Sequence, residues 1–321
     1  MPQLLFSNEP GNWRGVDFPK LTLTRVSWDN SPDRAIAFVF FGHVNVDFDG
    51  SSTAYGPPGM TPPPDDDLSN AGDNVKGWYG VAAAAANDPL VRDGTILIDQ
   101  KLSLLKKGKY PVIQQAKNGD PNPGYYVSST PHALGPYYRQ DSYIDASQVP
   151  FGALSGRLKA LGINLGDYAL ALRHDQSLQC PFYFVDSGAN TYALGECSHK
   201  VGKQLGGSGR ASHFNNNFPV SFIVFVESGD QDPSAIVAAP TDKIEAAVRS
   251  QMAGLSAATN AHDLALLMGF NEVSPNNQPQ GKAKLDAYKA HGGAEPKNLA
   301  TVSMGLQAYG LTAATAAAGA T

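Results

Sequence analysis

Cysteine is nearly absent from this chain: its 321 residues include two, Cys180 and Cys197. At most one disulfide is available. With no export signal to favour an oxidising compartment, two buried free thiols are the plainer reading. Charge is scarce as well. Asp, Glu, Lys and Arg make up 17% of the chain, and 24 basic side chains stand against 29 acidic ones, for a net charge of −5. Phosphate recognition needs clustered Lys and Arg, so nucleic acid is set aside as a partner. No apolar run has the length of a membrane helix, so no membrane partner is expected. The opening Met1-Pro2-Gln3-Leu4-Leu5-Phe6 lacks the basic and long apolar regions of an export leader. A cytosolic chain, export without a cleaved leader, and an already removed leader all remain open. Several chemistries lack their signatures. There is no GxSxG elbow. Gly206-Gly207-Ser208-Gly209 has no Lys-Ser/Thr after it to make a phosphate loop. Cys197 and His199 stand too close together for ordinary zinc-ligand spacing. No repeat is evident, and neither a metal nor a cofactor is expected.

Glycine and proline are plentiful, at 33 and 23, and 13 Tyr and 14 Phe are enough for a sizeable core. That balance favours a loop-rich β protein over a helical bundle. Strands are expected at 35–41, 44–50, 77–81, 95–98, 110–114, 124–128, 169–173, 181–185 and 220–225, with short helices at 155–161 and 198–205, the second with Ser198 as its candidate cap. Five prolines and three consecutive aspartates make 56–67 a loop. After about 238 the chain turns Ala- and Leu-rich with helical spacing at Ile244, Ala247, Val248 and Met252, then at 262–268 and 282–290. The expected fold is mainly β (α+β). An irregular segment at 1–34 precedes a barrel-like β-rich core at 35–238. A helical C-terminal segment follows at 239–321, with a polar link at 271–281 and a low-complexity end at 313–321.

Two acids stand out in the core. In Phe184-Val185-Asp186-Ser187-Gly188, an apolar run leads into a turn for which Gly188, Ala189 and Asn190 supply the chemistry. Leu194-Gly195-Glu196-Cys197-Ser198 leaves it. A hairpin would bring both carboxyl groups into one cleft and set Cys180 opposite Cys197. Two carboxyl groups are the minimum equipment for cleaving a glycosidic bond: one protonates the leaving oxygen, the other activates water or attacks carbon. A turn-tip Asp186 is the better solvated and suits the base, with Glu196 as acid. A helix starting near Glu196 would work against that order by favouring its carboxylate form. The plain alternatives are an Asp that caps its own turn and a Glu with an electrostatic role at a helix start. Asp47 and Asp49 alternate on one strand and share a face, where they suit a cationic sugar amine, support of the acid, or a solvated edge. Tyr55 and Tyr126 are placed for stacking on sugar rings, although aromatics in strands more often fill cores. Asp65-Asp66-Asp67 reads as a solvated loop.

Seven blocks, in order, resemble the bacterial branch of glycoside hydrolase family 75. They are Val46-Asp47-Phe48-Asp49-Gly50 with Ala54-Tyr55-Gly56-Pro57; Asn70-Ala71-Gly72; Gly77-Trp78-Tyr79-Gly80; Pro123-Gly124-Tyr125-Tyr126-Val127-Ser128-Ser129-Thr130; Tyr143-Ile144-Asp145-Ala146-Ser147-Gln148-Val149-Pro150; Val185-Asp186-Ser187-Gly188; and Gly195-Glu196-Cys197-Ser198. The similarity spans roughly residues 36–229 and leaves the helical tail outside. It implies an endo-acting chitosanase that cleaves β-1,4-linked glucosamine polymers with inversion, using Asp186 and Glu196 as its two acids, and, by analogy, secretion. Inversion implies carboxyl groups about 6.5–9.5 Å apart. Cys197 stands where the family usually has a small residue, and Ala189 where it has a nearby proline. The runner-up readings are a peptidoglycan hydrolase delivered as an antibacterial effector and a carbohydrate-binding module without turnover.

Overall fold

In the computed structural model, the described residues are 4–8, 12–13, 16–17, 23–73, 77–102, 108–188, 194–210, 214–215, 218–230, 232, 240–256, 259–273 and 298–312. The chain begins with β1 (Leu4–Asn8), β2 (Asn12–Trp13), β3 (Val16–Asp17), β4 (Leu23–Trp28), β5 (Ser31–Gly42) and β6 (Asn45–Asp47). A loop-rich middle carries β7 (Gly72–Asp73), β8 (Gly77–Trp78), β9 (Ala83–Ala85), helix α1 (Pro89–Arg92), β10 (Leu97–Ile98) and β11 (Lys109–Ile113). Then come β12 (Phe151–Ala153), α2 (Gly156–Ala160), β13 (Tyr168–Arg173), β14 (Gln179–Asp186), β15 (Glu196–Ser198), α3 (His199–Gln204) and β16 (Val220–Phe225). The helices α4 (Thr241–Ser256), α5 (Ala261–Val273) and α6 (Leu299–Ala308) follow.

Nine strands form one sheet in the order β1-β4-β5-β16-β13-β14-β12-β15-β6. Only the β12–β14 and β15–β6 junctions are parallel; the rest are antiparallel. The fold is therefore a mainly β arrangement with helices, as expected at that level. Among the described residues its large sheet has two ends, β1 and β6.

The long apolar runs are explained by burial on both faces. In β5, Phe38 and Phe40 join Phe182, Phe184 and Phe222 in one cluster, while Ala37 and Val39 join Leu170, Leu172, Ile223 and Phe225 in another. Successive side chains of a strand point to opposite faces, so a strand covered on both sides must be apolar throughout. The second face is covered by the C-terminal helices. Val248, Met252 and Leu255 of α4, Leu264 and Met268 of α5, and Val302 and Leu306 of α6 all belong to its cluster. Ile244, Val248, Met252 and Leu255 are buried at the spacing of one helix face.

Three expectations need correction. The segment at 1–34 is not irregular where it is described: β1 pairs with β4, and β4 with β5, inside the main sheet. Its Asp- and Asn-rich composition masked strand segments whose partners lie elsewhere in the chain. Residues 124–128 form isolated bridges, from Pro123 to Tyr125, Ile113 to Tyr126 and Val81 to Ser128, rather than a continuous strand. Ser198 precedes α3 but makes no capping bond with its side chain. Its hydroxyl donates to Val149 O at 2.8 Å and accepts from Phe151 N at 3.0 Å, so it fixes the start of β12 instead. The helix at 155–161 appears as α2, with the Ser155 hydroxyl accepting from Leu158 N. The expected helix at 282–290, the Ala189-Asn190 turn and the low-complexity end lie outside the described residues.

Candidate active site

Asp186 is the last residue of β14, and its direction is set by a bulge. In the parallel pairing of β12 with β14, Gly152 is level with Phe184 and Ala153 with Asp186, so Val185 is an extra, unpaired residue. A bulge re-aims the side chains beyond it. In an unbulged strand Asp186 would follow Phe182 and Phe184 onto the apolar face. With the bulge, Asp186 reaches the carboxyl groups at the end of β6 and just beyond it. The backbone is pinned there, since Leu154 N donates to Asp186 O at 2.7 Å and Gly188 N to Leu154 O at 3.1 Å.

The expected hairpin between the two acids does not form. β12 lies between β14 and β15, paired with both. Local turn chemistry cannot reveal that a segment thirty residues upstream supplies the intervening strand. Cys180 and Cys197 are accordingly two free, buried thiols, and Cys180 Sγ donates to Gln204 Oε1 at 2.7 Å. Burial raises both thiol pKa values above the ordinary range, which keeps them inert.

The two acids nonetheless come together. Glu196 opens β15 opposite Asn45 of β6 and is half-buried. Gly188, two residues past Asp186, lies against it: a Cβ added at Gly188 would stand 2.5 Å from Glu196 Oε2. Only a residue without a side chain permits that approach.

Asp47 ends β6, and the chain turns at once. Asp49 N donates to Asp47 Oδ1 at 2.8 Å, so a local turn, rather than an extended strand, brings the two acids onto one side. A buried amide pair secures this loop from below. Gln140 Nε2 donates to Gly50 O at 2.7 Å while its Oε1 accepts from Ser128 N at 2.8 Å, and Gln114 Nε2 donates to Ser52 O and Tyr126 O. Tyr55 OH donates to Asp49 Oδ1 at 2.6 Å. Gly80 also touches Asp49, where an added Cβ would lie 2.5 Å from Oδ1.

Asp47, Asp49 and Asp186 each place one carboxylate oxygen within 4.8 Å of the others. Asp186 is only 5% exposed; its Oδ1 accepts from Ser187 N at 2.6 Å, and its buried Oδ2 has no hydrogen-bond partner. Burial, then the negative charge of Asp47, pushes the Asp186 pKa well above the usual carboxylate range. Burial, then Asp47 and Asp186, does the same to Asp49, and burial raises Asp47. The spacing would also admit a divalent cation, but carboxyl groups this close, one buried and two half-buried, need no more than protons to become neutral.

No family model matches this chain. No curated protein matches it either. The reading of the site therefore rests on its own geometry and on the motifs in the sequence.

That geometry corrects several expectations. Tyr55 and Tyr126 are 1% and 0% exposed and belong to the core beside Phe48, so neither ring can stack on a sugar. Their hydroxyls hold Asp49 and Asp99 instead. Asp186 is not the better solvated acid: it is buried, whereas Glu196 is half-buried, so a turn-tip position gives no ground for preferring it as the base. Asp65 and Asp66 are half-buried rather than solvated. Asp65 accepts from the Thr53 hydroxyl, and Asp66 lies 3.4 Å from the Tyr55 hydroxyl and adds its charge to Asp47 and Asp49. Sequence reading assigned Gly188 a turn role only, and Gly80 and Tyr79 only membership of a motif block, with no sign that the two glycines stand against the acids. Tyr79 is 52% exposed and stands one residue from the glycine that lies against Asp49. Its place in the Gly-Trp-Tyr-Gly block was the available signal.

Proposed function

We propose that this chain is an endo-acting glycoside hydrolase that cleaves β-1,4 linkages of a glucosamine polymer, chitosan, with inversion. The observation that carries the reading is the convergence of a buried Asp186 and a half-buried Glu196 at one place, from two strands that are not neighbours in the sheet. Their environments differ as an acid and a base require. Asp186, held protonated by burial, gives its proton to the glycosidic oxygen as the bond from that oxygen to C1 breaks. Glu196 takes a proton from the water whose oxygen bonds to C1 on the opposite face. Glu196 then loses that proton to solvent, and solvent restores the one on Asp186.

Glu196 stands outside the trio of closely spaced aspartates, which leaves a separate position for the water-activating group. Asp66 and Glu196, the acids beside the trio, leave negative charge at the site, which suits a polymer of amines. Tyr79, exposed one residue from the glycine against Asp49, offers a ring to a sugar face. A barrel-like curl of the nine-stranded sheet belongs to the same reading, as twist accumulates over that many strands.

The test is incubation with chitosan and, separately, with purified bacterial cell wall across pH 4 to 8, with products sized by mass spectrometry. Glucosamine oligomers from chitosan are expected. Asp186→Asn and Glu196→Gln should each lower the rate by roughly 10²–10⁴-fold while the fold is kept. Binding of chitosan without oligomer release, or fragments from cell wall alone, would reject the reading.

A further inference from the structure

Asp186 carries a contradiction in its immediate surroundings. One oxygen accepts from Ser187 N, while the other is buried and has no donor. The groups facing it are acids. Asp47 ends β6 and Asp49 follows in the next turn, each offering an oxygen within 4.8 Å of the Asp186 oxygen. Glu196 on β15 adds a further negative charge. From the loop beyond β6, Asp66 faces Asp47 and Asp49, and the Tyr55 hydroxyl donates to Asp49. Cys197, a further titratable neighbour among the described residues, is a buried thiol close enough to feel Glu196 and Asp47. Carboxylates this close, one buried and two half-buried, with no donor between them cannot all be ionised. A proton on one of them is the missing donor, and it satisfies the orphaned oxygen at the same time.

We propose that Asp47 is a positioning residue that shares one proton with Asp186, and that Asp49, held by Tyr55, keeps that proton in place by its own proximity. Asp47 then touches no substrate. It works through Asp186, presenting that group to the glycosidic oxygen as an acid, and this differs from the amine-binding role expected of Asp47 and Asp49. The catalytic part rests on the glycosidase reading; the shared proton does not.

Two measurements test it. The first needs no turnover: Asp carboxyl carbons are labelled with ¹³C, the Asp186 signal is assigned by its loss in Asp186→Asn, and it is titrated by NMR. In the parent protein the signal stays protonated above the ordinary carboxylate range; in Asp47→Asn its transition moves to lower pH. The second is the pH profile on chitosan. In Asp47→Asn the descending limb of kcat moves to lower pH, kcat at the new optimum stays within roughly tenfold of the parent because Asp186 and Glu196 remain, and KM changes little. Asp47→Glu restores the limb. If Asp47→Asn does not fold, Asp49→Asn gives a smaller shift of the same sign. An Asp186 signal that titrates as an ordinary carboxylate overturns the proposal. So does an unmoved limb with a raised KM, which would make Asp47 an amine-binding group, or a signal displaced by added Mg²⁺ or Ca²⁺, which would put a cation where the proton is placed. If chitosan is not cleaved, the glycosidase reading fails and the NMR titration still decides the shared proton.

Discussion

One missing methyl group sets the distance between the loop after β14 and the start of β15. At Gly188 an added Cβ would stand 2.5 Å from Glu196 Oε2 and 3.3 Å from Ala153 O, so the carboxylate would have to swing away. A displacement of about 1 Å at a reacting group can cost about 10²-fold in rate. Gly188→Ala should therefore lower kcat on chitosan by about that factor and leave the thermal midpoint nearly unchanged, because the displaced group is the end of a side chain. Gly254→Ala, on α4 with open space around its added Cβ, is the matched control and should not affect the rate. Equal kcat in the two variants would show that Glu196 has room to spare. Asp186, Glu196, Asp47 and Asp49 were all legible in the sequence as acids beside glycines in an apolar setting. Their roles were less so, since role depends on burial. Tyr55 and Tyr126 show the same limit: an aromatic beside an acid reads as a sugar platform until the structure encloses it on every side.

Among the elements, α4 bears on the site without touching it. Ile244 is fully buried against Tyr183 and Val185, on the side of β14 opposite the phenylalanine cluster. The helix thus supports the strand segment that ends in Asp186. Ile244→Ala removes buried methyl groups and leaves a cavity, so about 2–5 kcal/mol of stability should be lost, read from urea unfolding at pH 6. A loss under about 1 kcal/mol would mean that α4 is not seated on β14 in solution. The apolar periodicity of α4 and the runs of β5, β13, β14 and β16 were visible in the sequence because each reports its own burial. The insertion of β12 between β14 and β15 was not. Phe151-Gly152-Ala153 is too short to show a period, and Gly152 serves by fitting against the rings of Phe182 and Phe184, a contact only the assembled sheet creates.

For the whole molecule, the buried acids give stability a definite pH dependence. Asp47, Asp49, Asp66, Asp167 and Asp186 all have folded-state pKa values raised, chiefly by burial. A carboxyl group with a raised folded pKa binds its proton more tightly when folded. Its contribution is fully present below the unfolded value, near 3.9, and is lost as pH rises through the folded value. His199 opposes this trend, since burial lowers its pKa and its neutral form is favoured as pH rises through the ordinary histidine range. The lowered values of Asp67, Asp93 and Asp175 act only toward stronger acid. Among the described residues five raised acids therefore work against one histidine as pH climbs above the ordinary carboxylate range, and the thermal midpoint should fall as pH rises. Asp49→Asn removes one raised acid, relieves Asp47 and Asp186 of its charge, and leaves an amide oxygen for Tyr55 to bond. That variant should melt above the parent at pH 8 and close to it at pH 4. Differential scanning calorimetry of the two proteins at the two pH values checks this. An equal loss of midpoint at both would mean that Asp49 is ionised and favourably solvated in the folded protein, and that the site holds its acids apart by means other than protons.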